Sequence, residues 1–462
     1  MPQRTTTIPL TLVLVLLLVA SLSVLQLSAS SPAQGGARDS PQADGLFPGA
    51  ANGSSRSSPA GPVVRYAERR AVSPPLSSLS PAAGLGLQPQ EGRRPPETGE
   101  LFEIPRPPSP RRGADEPARG RETGILLPSK VPATSEVPTP TVSFSGVSNG
   151  DNLNLIGQWV VPPDTNGAVG PNHYVQMLNL VFGIWDKSGA QLVGPLRTRA
   201  IWSELGGLCA TSSSGDPIVL YDQMADRWLM SEFAFSRDWL SGEPEGPFYE
   251  CIAISQTADP TGQWYLYGFL VSETKMNDYP KLGVWPDGYY MSVNQFLEVS
   301  GSWAGAGAAA FERTRMLKGE PARMVFFDIG SVNANYFGML PSDLDGTMLP
   351  PGGSPNYFVE WDDSLWLGDG QDTLRIWEFR VDWSDPAAST FGLPGHAPNE
   401  QVFTSSVDPN LCGYSRRCIP QPGTTQRVDA LSDRLMHRLA YRRFGSHETL
   451  VGNHSVDVNG AN

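Results

Sequence analysis

The stretch GDPIVLYDQMADRWLMSEFAF, residues 215–235, decides the fold. It contains two apolar runs rich in β-branched and aromatic residues, 218–222 and 227–235, separated by only four residues. This spacing is typical of a β-hairpin with a tight turn, in which the Asp222 carboxylate bonds the turn amides. Side chains alternate between the two faces of a strand, and here both faces are apolar. Such a strand lies inside a stack of sheets.

The chain after residue 142 repeats this pattern of short apolar runs separated by turn-forming residues. Few long segments have apolar residues at the 3.6-residue period of a helix. An all-β chain of this kind is either a propeller or a sandwich. Acidic residues precede apolar strands at intervals of roughly 50 to 85 residues, near the length of one four-stranded blade with its loops. We therefore predict a five- or six-bladed β-propeller over residues 141–462, with a short helix at 308–318. The recurring acids are Asp164, Asp216, Asp278, Asp343 and Asp429.

The first 140 residues have a different composition. An uncharged apolar run, residues 8–27, follows Arg4 and precedes small residues, which is the pattern of a secretory signal peptide. The run is also long enough to span a bilayer, so residues 1–30 are either a signal peptide or an N-terminal membrane anchor. Residues 31–140 are rich in Pro, Ser and Arg and predict a disordered linker. Both alternatives place the remaining chain outside the cytoplasm.

The balance of charge limits the class of partner. The whole chain has a net charge of −13, and the part after residue 140 carries 36 acidic and 20 basic side chains. An acidic surface repels phosphate backbones, so we expect no nucleic-acid partner. We expect an extracellular glycan or protein ligand and contact with a membrane only through the N-terminal segment, and the sequence does not indicate the oligomeric state. The twelve Trp and thirteen Tyr offer stacking surface for sugars.

The four cysteines are even in number in an exported chain, so we expect disulfides. Of the three possible pairings we favour Cys209–Cys251 and Cys412–Cys418. Cys209 lies just before the hairpin and Cys251 in the next strand, while the second pair closes a small loop.

No metal or other cofactor is predicted, because the chain lacks a CxxC pair and its histidines are wrongly spaced. Calcium is the one alternative, since 164–167 and 343–346 resemble the first half of a calcium loop. Neither segment has the closing Glu at position 12, and turns built on Asp and Gly explain both.

Three carboxylates are the candidate catalytic residues: Asp164, Asp216 and Asp278. In a propeller, residues at the entrances of inner strands collect around the central channel. Paired carboxylates there act as acid and base on a glycosidic bond if they lie about 5 to 10 Å apart. The alternative is that each one caps its own turn. The candidate ligand-binding residues are Asn166, Lys281, Asn294 and Arg434.

Three further segments have more than one interpretation. Residues 432–444 fit an arginine-striped helix less well than a strand whose arginines pair with carboxylates. Residues 155–161 are a candidate early strand that completes the last blade. Glu232 shares a strand face with Trp228 and Met230 and is either catalytic or on a solvent-facing outer strand, of which we favour the second.

Four stretches together resemble a group of large exported bacterial proteins that have an uncharacterised, propeller-like β domain and no established activity. The resemblance covers nearly all of residues 142–458 and implies the fold, but no cofactor or catalytic residue. Relatives continue with another strand that carries a Trp-Tyr pair, so we expect the last blade here to be incomplete. The stretches are 162–176, 215–228, 278–296 and 419–457.

These observations leave three hypotheses of function. The first is an exported or cell-surface propeller that binds an extracellular ligand. The second is a glycoside hydrolase that uses Asp carboxylates at the propeller axis. The third is a structural surface protein, which predicts an apolar channel without converging polar groups.

Overall fold

The computed structural model describes residues 61–80, 139–212, 214–238, 240–298, 300–364, 371–407, 417–425 and 427–456. These residues are almost entirely β, which confirms the predicted fold class. The strands are β1 (Val63–Tyr66), β2 (Arg69–Val72), β3 (Asn166–Val169), β4 (His173–Leu178), β5 (Val181–Asp186), β6 (Gln191–Arg197), β7 (Gly215–Asp222), β8 (Arg227–Arg237), β9 (Pro244–Ser255), β10 (Trp264–Ser272), β11 (Lys275–Val284), β12 (Tyr289–Leu297), β13 (Trp303–Phe311), β14 (Arg323–Phe327), β15 (Leu340–Asp345), β16 (Asn356–Asp362), β17 (Thr373–Arg380), β18 (Thr390–Phe391), β19 (Glu400–Phe403), β20 (Arg417–Pro420), β21 (Arg427–Asp429), β22 (Met436–Arg443) and β23 (Glu448–Asn453).

The strands form successive antiparallel sheets, as in the blades of a propeller. Blade 1 is β3 to β6, blade 2 is β7 to β10, and blade 3 is β11 to β14, each in the order of the chain. Blade 4 is β15 to β17 with β18 and β19 beside β17. Blade 5 has β22 and β23 among the described residues, and β22 pairs in parallel with β15. The described part of the chain thus contains five blades in sequence.

Helices are few and short. They are α1 (Asn149–Ile156), α2 (Gly207–Thr211) and α3 (Arg313–Met316), together with single 3₁₀ turns. None of the helices in the described ranges has the length and apolarity needed to cross a bilayer. Residues 1–30, predicted as a signal peptide or anchor, lie outside the described residues.

Each interior blade buries both of its faces against its neighbours. On β7, Val219 belongs to an apolar cluster shared with blade 1, and the alternate residue Ile218 belongs to a cluster shared with blade 3. Tyr289 and Tyr290 of β12 divide in the same way between the clusters toward blades 2 and 4. The two-sided apolar pattern of residues 215–235 therefore predicted the stack of sheets correctly.

The central hairpin has the predicted bounds, with β7 ending at Asp222 and β8 beginning at Arg227. The carboxylate Oδ1 of Asp222 accepts hydrogen bonds from the turn amides of Met224 (3.1 Å) and Ala225 (3.2 Å), as predicted. Asp222 is fully buried and also forms a bidentate ion pair with Arg313, at 2.6 and 3.0 Å. The pair joins blade 2 to α3 beside blade 3. One disulfide, Cys209–Cys251, holds α2 to β9 as predicted.

The N-terminal segment corrects one prediction. Residues 61–80 lie within the stretch predicted as a disordered linker, yet β1 pairs with β14 and β2 pairs with β10. These two strands extend the outer edges of blades 3 and 2, and Leu76 after them is fully buried among the residues of blades 1 and 2. The linker prediction is wrong for these residues because strand edges supplied by distant blades stabilise a segment that has few apolar residues of its own.

Two local predictions are also wrong. Residues 308–311 end β13 rather than begin a helix, and only Arg313–Met316 is helical. The alanines there are buried between blades, where a small side chain lets two sheets approach. Residues 155–161 contain no strand, because α1 ends at Ile156 and Gly157 follows in a left-handed conformation. Cys412 and the pairing Cys412–Cys418 lie outside the described residues.

We predict that Asp222→Ala lowers the free energy of unfolding by about 3–5 kcal/mol, because it leaves the Arg313 guanidinium buried without its counter-charge. Urea denaturation at pH 7 measures the change. Asp226→Asn, at the exposed end of the same hairpin, is the control and should change stability by less than about 0.5 kcal/mol. Equal effects of the two substitutions would contradict a structural role for the ion pair.

We predict that Leu76→Ala destabilises the protein by about 2–5 kcal/mol, the usual effect of removing a fully buried leucine side chain. Thermal unfolding of the full chain measures the change. Leu240→Ala is the control, since Leu240 is 64% exposed. If Leu76→Ala unfolds with the wild-type midpoint, the N-terminal segment does not belong to the folded core.

Candidate active site

The first strand of each blade lies at the inner edge of its sheet. β3 lies beside β7, β7 beside β11, and β11 beside β15, and β15 pairs with β22. The first strands of all five blades are therefore consecutive neighbours. Side chains at the same end of these strands face a common centre, as the sequence analysis expected of a propeller.

The three predicted carboxylates come together at this centre. Asp164 precedes β3, Asp216 is the second residue of β7, and Asp278 lies in β11. The carboxyl group of Asp216 is within hydrogen-bonding contact of Asp164, and it interacts electrostatically with Asp278 and Lys281. All three carboxylates are half-buried. We call these three aspartates the carboxylate cluster.

Asn179 connects two members of the carboxylate cluster. Its Nδ2 donates to Asp164 Oδ2 at 2.7 Å, and its Oδ1 accepts from the backbone N–H of Asp216 at 2.8 Å. Gly215 has φ +118, and a Cβ at this position would lie 2.8 Å from Asn179 Oδ1. A glycine is needed there for the close approach. The sequence analysis missed Asn179, whose only signal is a short turn between two strands.

The backbone around the carboxylate cluster is strained. Asp164, Asp216 and Tyr279 have φ of 41, 50 and 55. Asp visits the left-handed region more readily than an aromatic residue, and each such residue costs about 1–3 kcal/mol. The N–H of Tyr279 donates to Asp216 Oδ2 at 3.2 Å, so the strained backbone at Tyr279 is hydrogen-bonded to the carboxylate cluster. Strain of this kind concentrates at functional sites.

The surroundings of Asp216 and Asp278 affect the pKa values of the two carboxyl groups differently. Burial, together with the negative charges of Asp278 and Asp164, raises the pKa of Asp216 well above its usual range. Burial raises the pKa of Asp278 to about 6, against the opposing effect of Lys281 and Arg434. The neighbours of the two carboxyl groups thus differ: negative charges add to the effect of burial on the pKa of Asp216, whereas Lys281 and Arg434 oppose it at Asp278. Two carboxyl groups with divergent pKa values can serve as acid and base.

Basic groups come from β11 and from blade 5. Lys281 Nζ lies 3.6 Å from the centre of the Tyr279 ring, and Arg434 covers the same ring at 4.9 Å. Burial, with Lys281 and Arg438 nearby, lowers the pKa of His437 to about 4. We call these four groups, Lys281, Arg434, His437 and Arg438, the basic side of the site. The carboxylates come from blades 1 to 3, and Lys281 shares β11 with Asp278, so opposite charges meet at blade 3.

Two of these cations already have partners. Arg434 is buried and binds Asp433 through two hydrogen bonds of 2.8 Å. Arg438 binds Asp343 at 2.8 Å and also Asp345. The strand predicted over residues 432–444 is present as the shorter β22, and Arg438 in it pairs with carboxylates as expected, whereas Arg443 donates to the backbone oxygen of Leu349. No group of three His, Cys, Asp or Glu side chains in the described ranges is arranged to hold a metal ion.

Two other predicted ligand-binding residues, Asn166 and Asn294, use their side-chain oxygens for hydrogen bonds within the protein. Asn166 Oδ1 accepts from the N–H of Val219 at 2.8 Å, and Asn294 Oδ1 accepts from the N–H of Gly338 at 2.9 Å. Asn294 is buried, and Asn166 is half-buried. With Arg434 held by Asp433, Lys281 is the predicted binding residue that remains for a ligand.

We expected Glu232 to face solvent, but its side chain is buried inside blade 2 and only 1% exposed. Its Oε1 accepts from Trp202 Nε1 at 2.5 Å. Glu250 on the next strand is fully buried and accepts from Asn277 Nδ2 at 3.0 Å, next to Asp278 in the chain. Burial raises the pKa of each glutamate to about 8. The prediction was wrong because both faces of β8 are covered, which short-range pattern does not reveal.

We predict that stability falls as the pH rises from about 4.5 to 8. In this window the folded protein binds protons on Glu232 and Glu250 that the unfolded chain releases, so each group contributes a slope of up to about 1.4 kcal/mol per pH unit. Glu250→Gln should flatten the slope, since the amide does not ionise. Urea denaturation at pH 5, 6, 7 and 8 measures it, with the exposed Glu204→Gln as the control. An unchanged slope in Glu250→Gln would mean that Glu250 ionises normally.

Comparisons with known proteins add little beyond this geometry. No protein-family model matches the chain, and no curated protein matches it. An exo-β-1,3-galactanase from Clostridium thermocellum is similar in structure with a TM-score of 0.29 and 10% identity, over 57% of this chain and 52% of that protein. An α-L-arabinanase from Cellvibrio cellulosa has a TM-score of 0.27 and 11% identity, over 64% of this chain and 89% of that one. The chain thus covers about half of the galactanase. Similarity at this level carries no argument, and the architecture rests on the strand pairing.

Proposed function

We propose that this protein is an exported glycoside hydrolase whose catalytic groups are the carboxylate cluster at the inner ends of blades 1 to 3. The observation that supports it is the meeting of Asp164, Asp216 and Asp278, from three different blades, with diverging proton affinities. The hydrolase hypothesis required this convergence. A structural surface protein required an apolar axis, which the described residues do not form.

The roles follow from the protonation states. Asp216, whose pKa is raised well above its usual range, donates its proton to the glycosidic oxygen as that bond breaks. Asp278, ionised, is the carboxylate that serves the anomeric carbon as base or nucleophile. Asp164 raises the pKa of Asp216, and a hydrogen bond from Asn179 fixes the orientation of Asp164. Lys281 increases the ionised fraction of Asp278, because a nearby positive charge favours the charged carboxylate.

Export fits the disulfide Cys209–Cys251, because disulfides persist in oxidising compartments. The N-terminal apolar run supplies the signal for it. A hydrolase of this kind meets polysaccharides outside the cell, where the acidic surface keeps it soluble.

The test is a screen of the full chain for release of reducing sugars from a panel of neutral and acidic polysaccharides. We expect Asp216→Asn to lower kcat by about 10²–10⁴-fold, the usual contribution of a general acid. Asn accepts the left-handed backbone of Asp216, so this variant changes the acid and not the turn. The exposed Asp385→Asn, whose side chain caps nothing, should retain full activity.

The pH profile provides a second readout. Activity should rise with pH through about 6 as Asp278 loses its proton, and should fall at higher pH when Asp216 ionises. Binding of a polysaccharide without release of reducing sugar would replace the hydrolase by a glycan-binding protein. Turnover that survives Asp216→Asn would exclude the proposed acid.

A further inference from the structure

Lys281 differs from the other cations of the site in having no carboxylate partner. Its Nζ donates to the backbone oxygen of Pro280 at 3.0 Å and lies 3.6 Å above the Tyr279 ring. It forms no ion pair with any residue in the described ranges, although three carboxylates lie near it. A half-buried ammonium group is costly unless an opposite charge compensates for it. The side chain is thus available to an anion from outside the protein.

The surroundings of Lys281 favour an anion on that side of the site. Arg434 lies across the Tyr279 ring, and Arg438 and the uncharged ring of His437 lie on β22. An anionic group on the blade 5 side therefore lies near the positive charges of Lys281, Arg434 and Arg438, and of these Lys281 has no carboxylate partner among the described residues.

We propose that the substrate is an acidic glycan, and that Lys281 binds the carboxylate of a uronic acid residue beside the bond that is cut. This inference rests on the proposed function for its substrate class. The geometry supports it through three features: a half-buried ammonium group without an ion pair, its place in β11 three residues after Asp278, and the basic side chains of blade 5 around it. A neutral polysaccharide leaves this ammonium group without an ion-pair partner. A uronate supplies the missing charge.

Equilibrium binding tests the proposal without depending on turnover. The ligands are oligogalacturonate and oligoalginate, each compared with its ester, which has the same backbone without the charge. We expect the full chain to bind at least one acid about tenfold more tightly than its ester, a difference of about 1.4 kcal/mol. Lys281→Met should remove this difference, and Lys281→Arg should restore part of it. Higher salt should weaken binding of the acid but not of the ester.

Lys187→Met is the matched control, because Lys187 Nζ also donates to a backbone oxygen, that of Gly170 at 2.9 Å, but lies exposed outside the site. It should bind like the wild type. Equal binding of acid and ester, or no binding of either uronate, would overturn the proposal. Lys281-dependent binding of oligocarrageenan alone would also overturn it, since the anion would then be a sulfate.

The outcomes separate this inference from the proposed function. Lys281-dependent binding of a uronate without release of reducing ends would retain the substrate class and reject the hydrolase. Asp216-dependent hydrolysis of neutral polysaccharides, unaffected by Lys281→Met in affinity, would retain the hydrolase and reject the uronate.

Discussion

The covering of both faces of each interior blade is the constraint on which the rest of this structure depends. A sheet with one apolar face can stop at a single partner, but β7 carries Ile218 on one face and Val219 on the other. Each such sheet needs two neighbours, and each neighbour has the same requirement. Twisted sheets that stack in this way fan out around an axis, which brings the first strands together. The central site is therefore a consequence of core packing.

The inner strand edges then need hydrogen-bond partners, and the recurring Asp and Asn residues supply them. Asn166 accepts from an amide of β7, Asp216 from an amide of β11, and Asp343 from the N–H of Val284 in β11. Asp216 and Asp343 thus bond an amide of the adjacent blade, whereas Asp429 accepts from the N–H of Leu431 and caps its own turn, as the alternative predicted. The convergence of Asp216 with Asp164 and Asp278 therefore follows from contacts between neighbouring blades.

The sequence predicted features that depend on local pattern. The bounds of the central hairpin, the bonds of Asp222 to its turn and the pairing of Cys209 with Cys251 all follow from spacing and turn chemistry. The features it missed depend on contacts between distant segments. Residues 61–80 are ordered by strand edges some 200 residues away, and Glu232 is buried by sheets on both sides. Asn179 acquires its role only when β7 lies beside it.

Several groups in and near the candidate site destabilise the fold. Three residues with positive φ and two buried neutral glutamates each cost stability, and packing against both faces of every blade offsets that cost. A flexible surface loop could hold three aspartates, but water would give them nearly equal pKa values. The blades leave Asp216 half-buried and bring further carboxyl groups near it, which raises its pKa. Lys281 and Arg434 oppose the same effect at Asp278. The difference between the two carboxyl groups thus follows from which blade supplies each neighbour.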